Sequence, residues 1–139
     1  MSVFLFLTPA AQSEFTVSVE QEVYQAEENS NITMAWIFPV DTNKSPDLYV
    51  DLQNVKLKSS IYTYNSKRDA KLYLHEIYRD RLHCDPQLAM KGQFKCLLTD
   101  LMVSDTGTYQ CIVTLNGKSN SKPCDLNKKV KRTKTKLIV

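Results

Sequence analysis

Glycine is scarce in this chain, with three residues among 139. That excludes a glycine-rich phosphate-binding loop and a low-complexity linker. A run of about 20 apolar residues is also missing, so any membrane attachment is expected from a segment outside this sequence. Histidine is limited to His75 and His83. No nucleophile motif accompanies either one, and His83-Cys84-Asp85 lacks the CxxC or paired-His spacing of a metal site. Both are read as exposed strand residues, and the chain as a non-enzyme with no catalytic residue, metal or cofactor. Charge of one sign is little in excess: the net charge is +3, too weak to argue for nucleic acid. The basic residues Lys128, Lys129, Lys131, Arg132, Lys134 and Lys136 cluster near the end. They lack the aromatic interleaving of single-strand binders, so they read as a solvated final strand entering a stalk.

What is present describes one folded domain. Hydrophobic residues make up 42% and charged residues 24%, ordinary for a globular chain of this length. Val3-Phe4-Leu5-Phe6-Leu7 followed by Ala10-Ala11-Gln12-Ser13 resembles a short signal core with a small-x-small cleavage site. Residues 1–13 are therefore expected to be a partial signal peptide, and residues 14–139 a single domain. Four cysteines and two glycosylation sequons, at Asn31 and Asn43, fit an oxidising, extracytoplasmic compartment.

Alternation of apolar and polar residues predicts short strands throughout. Phe15–Val19 reads as the first; Ile32, Met34, Trp36 and Phe38 line one side of the next, with Asn31 facing solvent. Leu48, Val50 and Leu52 alternate with Tyr49, Asp51 and Gln53. Ser60–Tyr64, Leu72–His75 and Arg79–Cys84 follow, and Asp85-Pro86 reads as a breaker. Phe94, Cys96 and Leu98 alternate again, then Tyr109–Leu115, the hairpin signal Asn116-Gly117, and a last strand around Val130–Val139. Nine or so short strands with no helical period predict an all-β sandwich of two antiparallel sheets with Greek-key connections.

The most specific string is Asp105-Thr106-Gly107-Thr108-Tyr109-Gln110-Cys111. Its Asp-x-Gly-x-Tyr-x-Cys pattern meets the requirements of the immunoglobulin sandwich, where a tyrosine two residues before a core cysteine closes a corner by bonding back to the backbone. Phe15-Thr16-Val17-Ser18-Val19, Ser30-Asn31-Ile32-Thr33, Phe38-Pro39-Val40, Arg79-Asp80-Arg81-Leu82 and Leu98-Thr99-Asp100-Leu101 add to the likeness. Together they resemble a variable-type (V-type) immunoglobulin domain of the butyrophilin and programmed-death-ligand kind. The resemblance implies a co-signalling ligand or receptor ectodomain, at the cell surface or secreted. It also implies a partner of the immunoglobulin superfamily, met by the face of strands C, F and G. By parity Tyr109, Cys111 and Val113 point inward. Gln110, Ile112 and Thr114 then point out beside Tyr49, Asp51 and Gln53, and Tyr62 and Tyr64 are expected to extend the patch. A homophilic adhesion module and a secreted, viral decoy of an immune receptor are the alternative readings.

Two departures stand out. Strand B carries Trp36 where the family usually has cysteine, and strand C has Val50 or Leu52 where many members have tryptophan. These suggest a divergent member, such as one from a fish or a virus. With strand B lacking a thiol, the simplest assignment is two hairpin bridges, Cys84–Cys96 and Cys111–Cys124. Cys96–Cys111 is an alternative, and four cysteines allow three connectivities that sequence does not separate. Trp36 is expected to fill the core where the sheet-to-sheet bridge is missing.

Overall fold

A computed structural model describes residues 15–68 and 71–129. The proposed signal segment, the expected last strand at Val130–Val139 and most of the basic run lie outside these residues. The strands, in chain order, are β1 (Ser18–Val19), β2 (Val23–Ala26), β3 (Ile32–Ile37), β4 (Leu48–Asn54), β5 (Ser59–Asn65), β6 (Lys71–Leu74), β7 (Leu82–Cys84), β8 (Gln93–Leu98), β9 (Gly107–Leu115) and β10 (Lys118–Lys128). They form a four-stranded sheet in the order β1-β3-β8-β7 and a six-stranded sheet in the order β2-β10-β9-β4-β5-β6.

Period-two patterning explains why the sheets pack. Met34 and Trp36 in β3, Leu48, Val50 and Leu52 in β4, Phe94, Cys96 and Leu98 in β8, and Tyr109, Cys111 and Val113 in β9 are all buried, and their inward faces share one core. Trp36 has no solvent exposure. Its ring lies 6.0 Å from that of Phe94, and Phe94 lies 5.6 Å from Tyr62 of β5. This aromatic row runs from one sheet to the other. The Trp36 Nε1–H also donates to the Lys122 carbonyl of β10 at 3.0 Å, a direct sheet-to-sheet hydrogen bond.

The first strand departs from expectation. Only Ser18–Val19 pairs with β3; the chain then crosses over, and Val23–Ala26 pairs in parallel with Asp125–Lys128 of β10. The sequence hides β2 because Tyr24 is its one fully inward apolar side chain among Glu22, Gln25 and Glu27. Arg79–Arg81 forms a turn rather than strand, with Asp80 at φ 69°, and β7 begins at Leu82. Asp85-Pro86, expected as a breaker, opens a single helical turn, α1 (Pro86–Ala89). The Asp85 carboxylate caps it by accepting from the backbone N–H groups of Gln87 and Leu88, and Pro86 sits where no amide is needed. Gly92 ends this turn at φ 88°, where a Cβ would collide with the Phe38 carbonyl. At the opposite end, Asn116 (φ 51°) and Gly117 (φ 86°) make the two-residue hairpin turn that their dipeptide predicts.

Beneath the sandwich lies a buried polar cluster. The Tyr109 hydroxyl donates to the Asp105 carbonyl at 2.6 Å, closing the corner expected from the sequence string. Tyr78 Oη stands 3.1 Å from Tyr109 Oη and accepts from Asn54 Nδ2 at 2.7 Å. The Arg81 guanidinium grips Asp105 with two bonds, of 2.7 and 2.9 Å, and the Met102 N–H donates to the same carboxylate at 2.8 Å. Arg81 also lies over the Tyr78 ring, 5.5 Å from its centre. Burial, ahead of the neighbouring hydroxyls, pushes the Tyr109 phenol far above its ordinary value, and burial raises Tyr78 likewise. These groups tie β4, β9 and the turns before β7 and β9 into one unit.

Candidate protein-binding face

The outer surface of the six-stranded sheet brings six of the predicted residues together in three rungs. Strand register places Tyr49 beside Thr114, Asp51 beside Ile112, and Gln53 beside Gln110. In antiparallel partners side chains at paired positions share a face. The rungs continue onto β10 through Ser119, Ser121 and Pro123. Hydrogen bonds hold the polar members in place: Thr114 Oγ1 with Ser119 Oγ (2.7 Å), Gln110 Nε2 to Ser121 Oγ (2.9 Å) and Gln53 Nε2 to Asp51 Oδ2 (3.2 Å). Ser60 of β5 donates to the other Asp51 oxygen at 2.7 Å. Tyr49 is 36% exposed, and Ile112 is half-buried at the centre of the face. The face thus sets an exposed aromatic and a half-buried branched aliphatic side chain within a hydrogen-bonded polar surround.

Tyr62 and Tyr64 do not extend this patch. They are register partners of Leu52 and Val50, so both point into the core and are 4% and 8% exposed. The cause is a bulge: the pairing shifts between Leu52 and Gln53, Ser60 stands opposite Gln53, and Ile61 is the extra, buried residue. Burial drives the Tyr62 phenol up to about 12, and its hydroxyl has no hydrogen-bond partner. The residues that do continue the face are Thr63 and Asn65, opposite Asp51 and Tyr49, and then Tyr73 of β6 opposite Thr63. Sequence reasoning missed them; the polar alternation of Thr63 and Asn65 was the available signal.

Sequence and structure comparisons agree with this architecture. No family model matches the sequence. Mouse programmed cell death 1 ligand 1 is 27% identical over 103 residues, which cover 74% of this chain and 35% of that protein. The chain thus spans about a third of the length of this curated relative. Among solved structures, the human B7-H4 IgV-like domain superimposes with a TM-score of 0.65 at 14% identity, covering 82% of this chain and 96% of that one. Bovine butyrophilin gives 0.64 at 13% identity, covering 84% and 55%. The chain has an immunoglobulin V-type fold, and its sequence is similar to that of a programmed cell death 1 ligand.

His75 Nδ1 accepts from the Ile77 N–H at 3.1 Å, capping a short turn, while His83 is exposed on β7. Among the described residues no group of three or more His, Cys, Asp or Glu side chains is placed to hold a metal ion. A recess lined in part by Ala26, Leu101, Val103 and Leu126 has a volume of about 10 Å³, about that of one water. No helix among the described residues is long and apolar enough to cross a membrane.

The cysteines of the V-type domain divide unequally. Cys84 and Cys96 stand directly opposite each other on β7 and β8 and form a disulfide within the four-stranded sheet. The expected Cys111–Cys124 bridge is not formed, nor is the alternative Cys96–Cys111 bridge; Cys111 and Cys124 are free and buried. The register explains the first: Cys111 pairs with Lys122 and Cys124 with Tyr109, so the two cysteines are diagonal rather than opposed. The Cys124 thiol is directed at Met34 Sδ, 3.9 Å away. Burial holds the Cys111 thiol well above the usual range and pushes Cys124 up to about 12, suppressing the reactive thiolate in both. We expect a maleimide to label neither cysteine in the native protein and both after denaturation. Non-reducing peptide mapping should show Cys84–Cys96 as the one bridge; a Cys111–Cys124 peptide would contradict the arrangement.

Proposed function

We propose that this V-type domain acts outside the cell as an immune recognition module, a co-signalling ligand or receptor that binds another immunoglobulin-type domain. Contact is made by the outer face of β4, β9 and β10, through Tyr49, Asp51, Gln53, Gln110, Ile112 and Thr114. The observation that carries this reading is the register, which sets these six side chains in adjoining rungs on one uncovered sheet face. The likeness to a programmed cell death 1 ligand supports the assignment of ligand chemistry.

The sequons are compatible with it. Asn31 is exposed and in step with Thr33 on the outer side of the four-stranded sheet, and its Oδ1 accepts from the Asp100 N–H at 3.2 Å. Its Nδ2 is left to carry a glycan on the sheet opposite the proposed face. Asn43 is exposed in the loop between β3 and β4. A glycan on Asn31 would not project from the Ile112 surface.

A screen of the purified domain against immune-receptor ectodomains tests the proposal. With a receptor in hand, Ile112→Asp is expected to weaken binding about thirtyfold or more and Tyr49→Ala about tenfold, the range of central and flanking hot spots. Native affinity in both variants would move the contact to another surface.

A further inference from the structure

We infer that Asn116 is a site of spontaneous covalent modification. The hairpin turn between β9 and β10 converts this asparagine, through a cyclic imide, to aspartate and isoaspartate, with water as the co-reactant.

The reaction needs an asparagine whose side-chain carbonyl carbon is within reach of the next residue's main-chain nitrogen. That nitrogen must also be free to give up its proton. The sequence holds eight asparagines, and Asn116 is the one followed by glycine. Gly117 has no Cβ to shield its nitrogen from the approaching side chain. Both residues are exposed, so hydroxide reaches them. Hydrogen bonding separates the sites further. After Asn29, Asn43 and Asn54 the next amide is already donating: Ser30 to the Glu27 carbonyl (3.2 Å), Lys44 to Asp41 (3.2 Å) and Val55 to Thr108 (3.0 Å). Ser121 N–H, after Asn120, donates to the Asn120 side chain at 2.8 Å. Ile32 and Lys128, after Asn31 and Asn127, lie in paired strands. Asn65 Oδ1 is held by the Lys67 N–H at 3.0 Å. Among the described residues the Gly117 N–H has no partner, because Gly117 stands in the tip between Leu115 of β9 and Lys118 of β10.

A neighbouring strand end assists the chemistry. The Asp47 N–H donates to Asn116 Oδ1 at 3.0 Å, polarising the carbonyl under attack and meeting the negative charge its oxygen gains. Hydroxide takes the Gly117 amide proton, and the nitrogen forms a bond to Asn116 Cγ. The Cγ–Nδ2 bond then breaks, and ammonia leaves with a proton taken from water. Water next opens the five-membered imide. Addition at Cγ gives aspartate, whereas addition at the main-chain carbonyl carbon gives isoaspartate; no oxidation or reduction occurs. Aspartate sets a second carboxylate beside Asp47, whose own is held by Lys67 at 3.2 Å. Isoaspartate runs the backbone through the side chain and adds a methylene to the two-residue turn, next to the Thr114–Ser119 hydrogen bond.

The test is to incubate the full chain at physiological temperature over a range of mildly alkaline pH, then digest it and map the peptides by mass spectrometry. Isoaspartate is counted with an isoaspartyl methyltransferase and labelled S-adenosylmethionine. The Asn116 peptide is expected to gain the mass of an amide-to-acid exchange ahead of every other asparagine peptide, in both product forms. Its rate should rise in proportion to hydroxide. Gly117→Asn is expected to lose most of the conversion at Asn116. Asparagine accepts the positive φ of this position, and a Cβ there meets nothing within 4 Å, so the turn is retained. A synthetic peptide of residues 112–121 gives the rate without the fold. If the peptide converts while Asn116 in the folded chain stays intact, the turn protects the residue and the inference is overturned. Conversion spread evenly over the asparagines, or a rate unchanged in Gly117→Asn, would overturn it as well.

Discussion

Replacing Trp36 with alanine is expected to lower the stability of the domain by about 3–5 kcal/mol, the range for deleting a fully buried large aromatic. The ring is central to the aromatic row of Trp36, Phe94 and Tyr62 that passes from the four-stranded to the six-stranded sheet. Alanine would leave a cavity between the sheets, because Phe94 and Met34 belong to strands already fixed by pairing with each other's neighbours. Trp36→Phe separates the two contributions. It keeps most of the ring volume but loses the Nε1–H bond to the Lys122 carbonyl, and is expected to lower stability by about 1–2 kcal/mol. Chemical denaturation with intrinsic fluorescence is unsuited, since Trp36 is the one tryptophan; circular dichroism in urea gives the comparison. A loss below about 1 kcal/mol for Trp36→Ala would show that the sheets are held together by something other than this ring.

The second large effect is expected at Asp105. Its carboxylate is 3% exposed and holds the Arg81 guanidinium, itself 13% exposed, in a two-point pair. Removing the acid strands a nearly buried cation and also frees the Met102 N–H, so Asp105→Ala should cost about 3–5 kcal/mol. Asp105→Asn keeps an acceptor for that N–H but discards the charge, and should fall between the wild type and Asp105→Ala. The double variant Asp105→Ala with Arg81→Met is expected to recover much of the loss, since no unpaired cation remains. Additive losses in urea denaturation would mean that the two residues act separately. The Tyr109 hydroxyl bonds the Asp105 carbonyl in the same turn.

The legible parts of the fold are those where one strand carries its own pattern. β3, β4, β8 and β9 each place large apolar side chains at alternate positions, and Tyr109 with Asp105 specifies a corner whose bond spans four residues. β2 is illegible because its stability comes from pairing with β10, far along the chain, rather than from its own side chains. The cluster of Asn54, Tyr78 and Arg81 is hidden for a related reason: each residue is ordinary locally and acquires meaning from a partner on another element. The binding face follows the same rule. On β4 and β9 parity assigns Tyr49 and Ile112 correctly, but on β5 a single inserted residue reverses the reading of Tyr62 and Tyr64. A bulge is a property of two strands, and one strand's sequence does not announce it. Ser119 and Ser121 escaped notice because small hydroxyls carry no periodic signal.

The placement of the Cys84–Cys96 bond inside one sheet bears on the order in which this chain matures. Closing the sandwich brings β3 onto β9 and β10, and that step joins no sulfur atoms: it is completed by Trp36, its aromatic neighbours and a backbone carbonyl. Oxidation instead seals a short segment between two strands that are already adjacent in sequence. Assembly of the two sheets is thereby uncoupled from thiol chemistry, and the oxidant acts on a hairpin rather than on the meeting of distant parts of the chain.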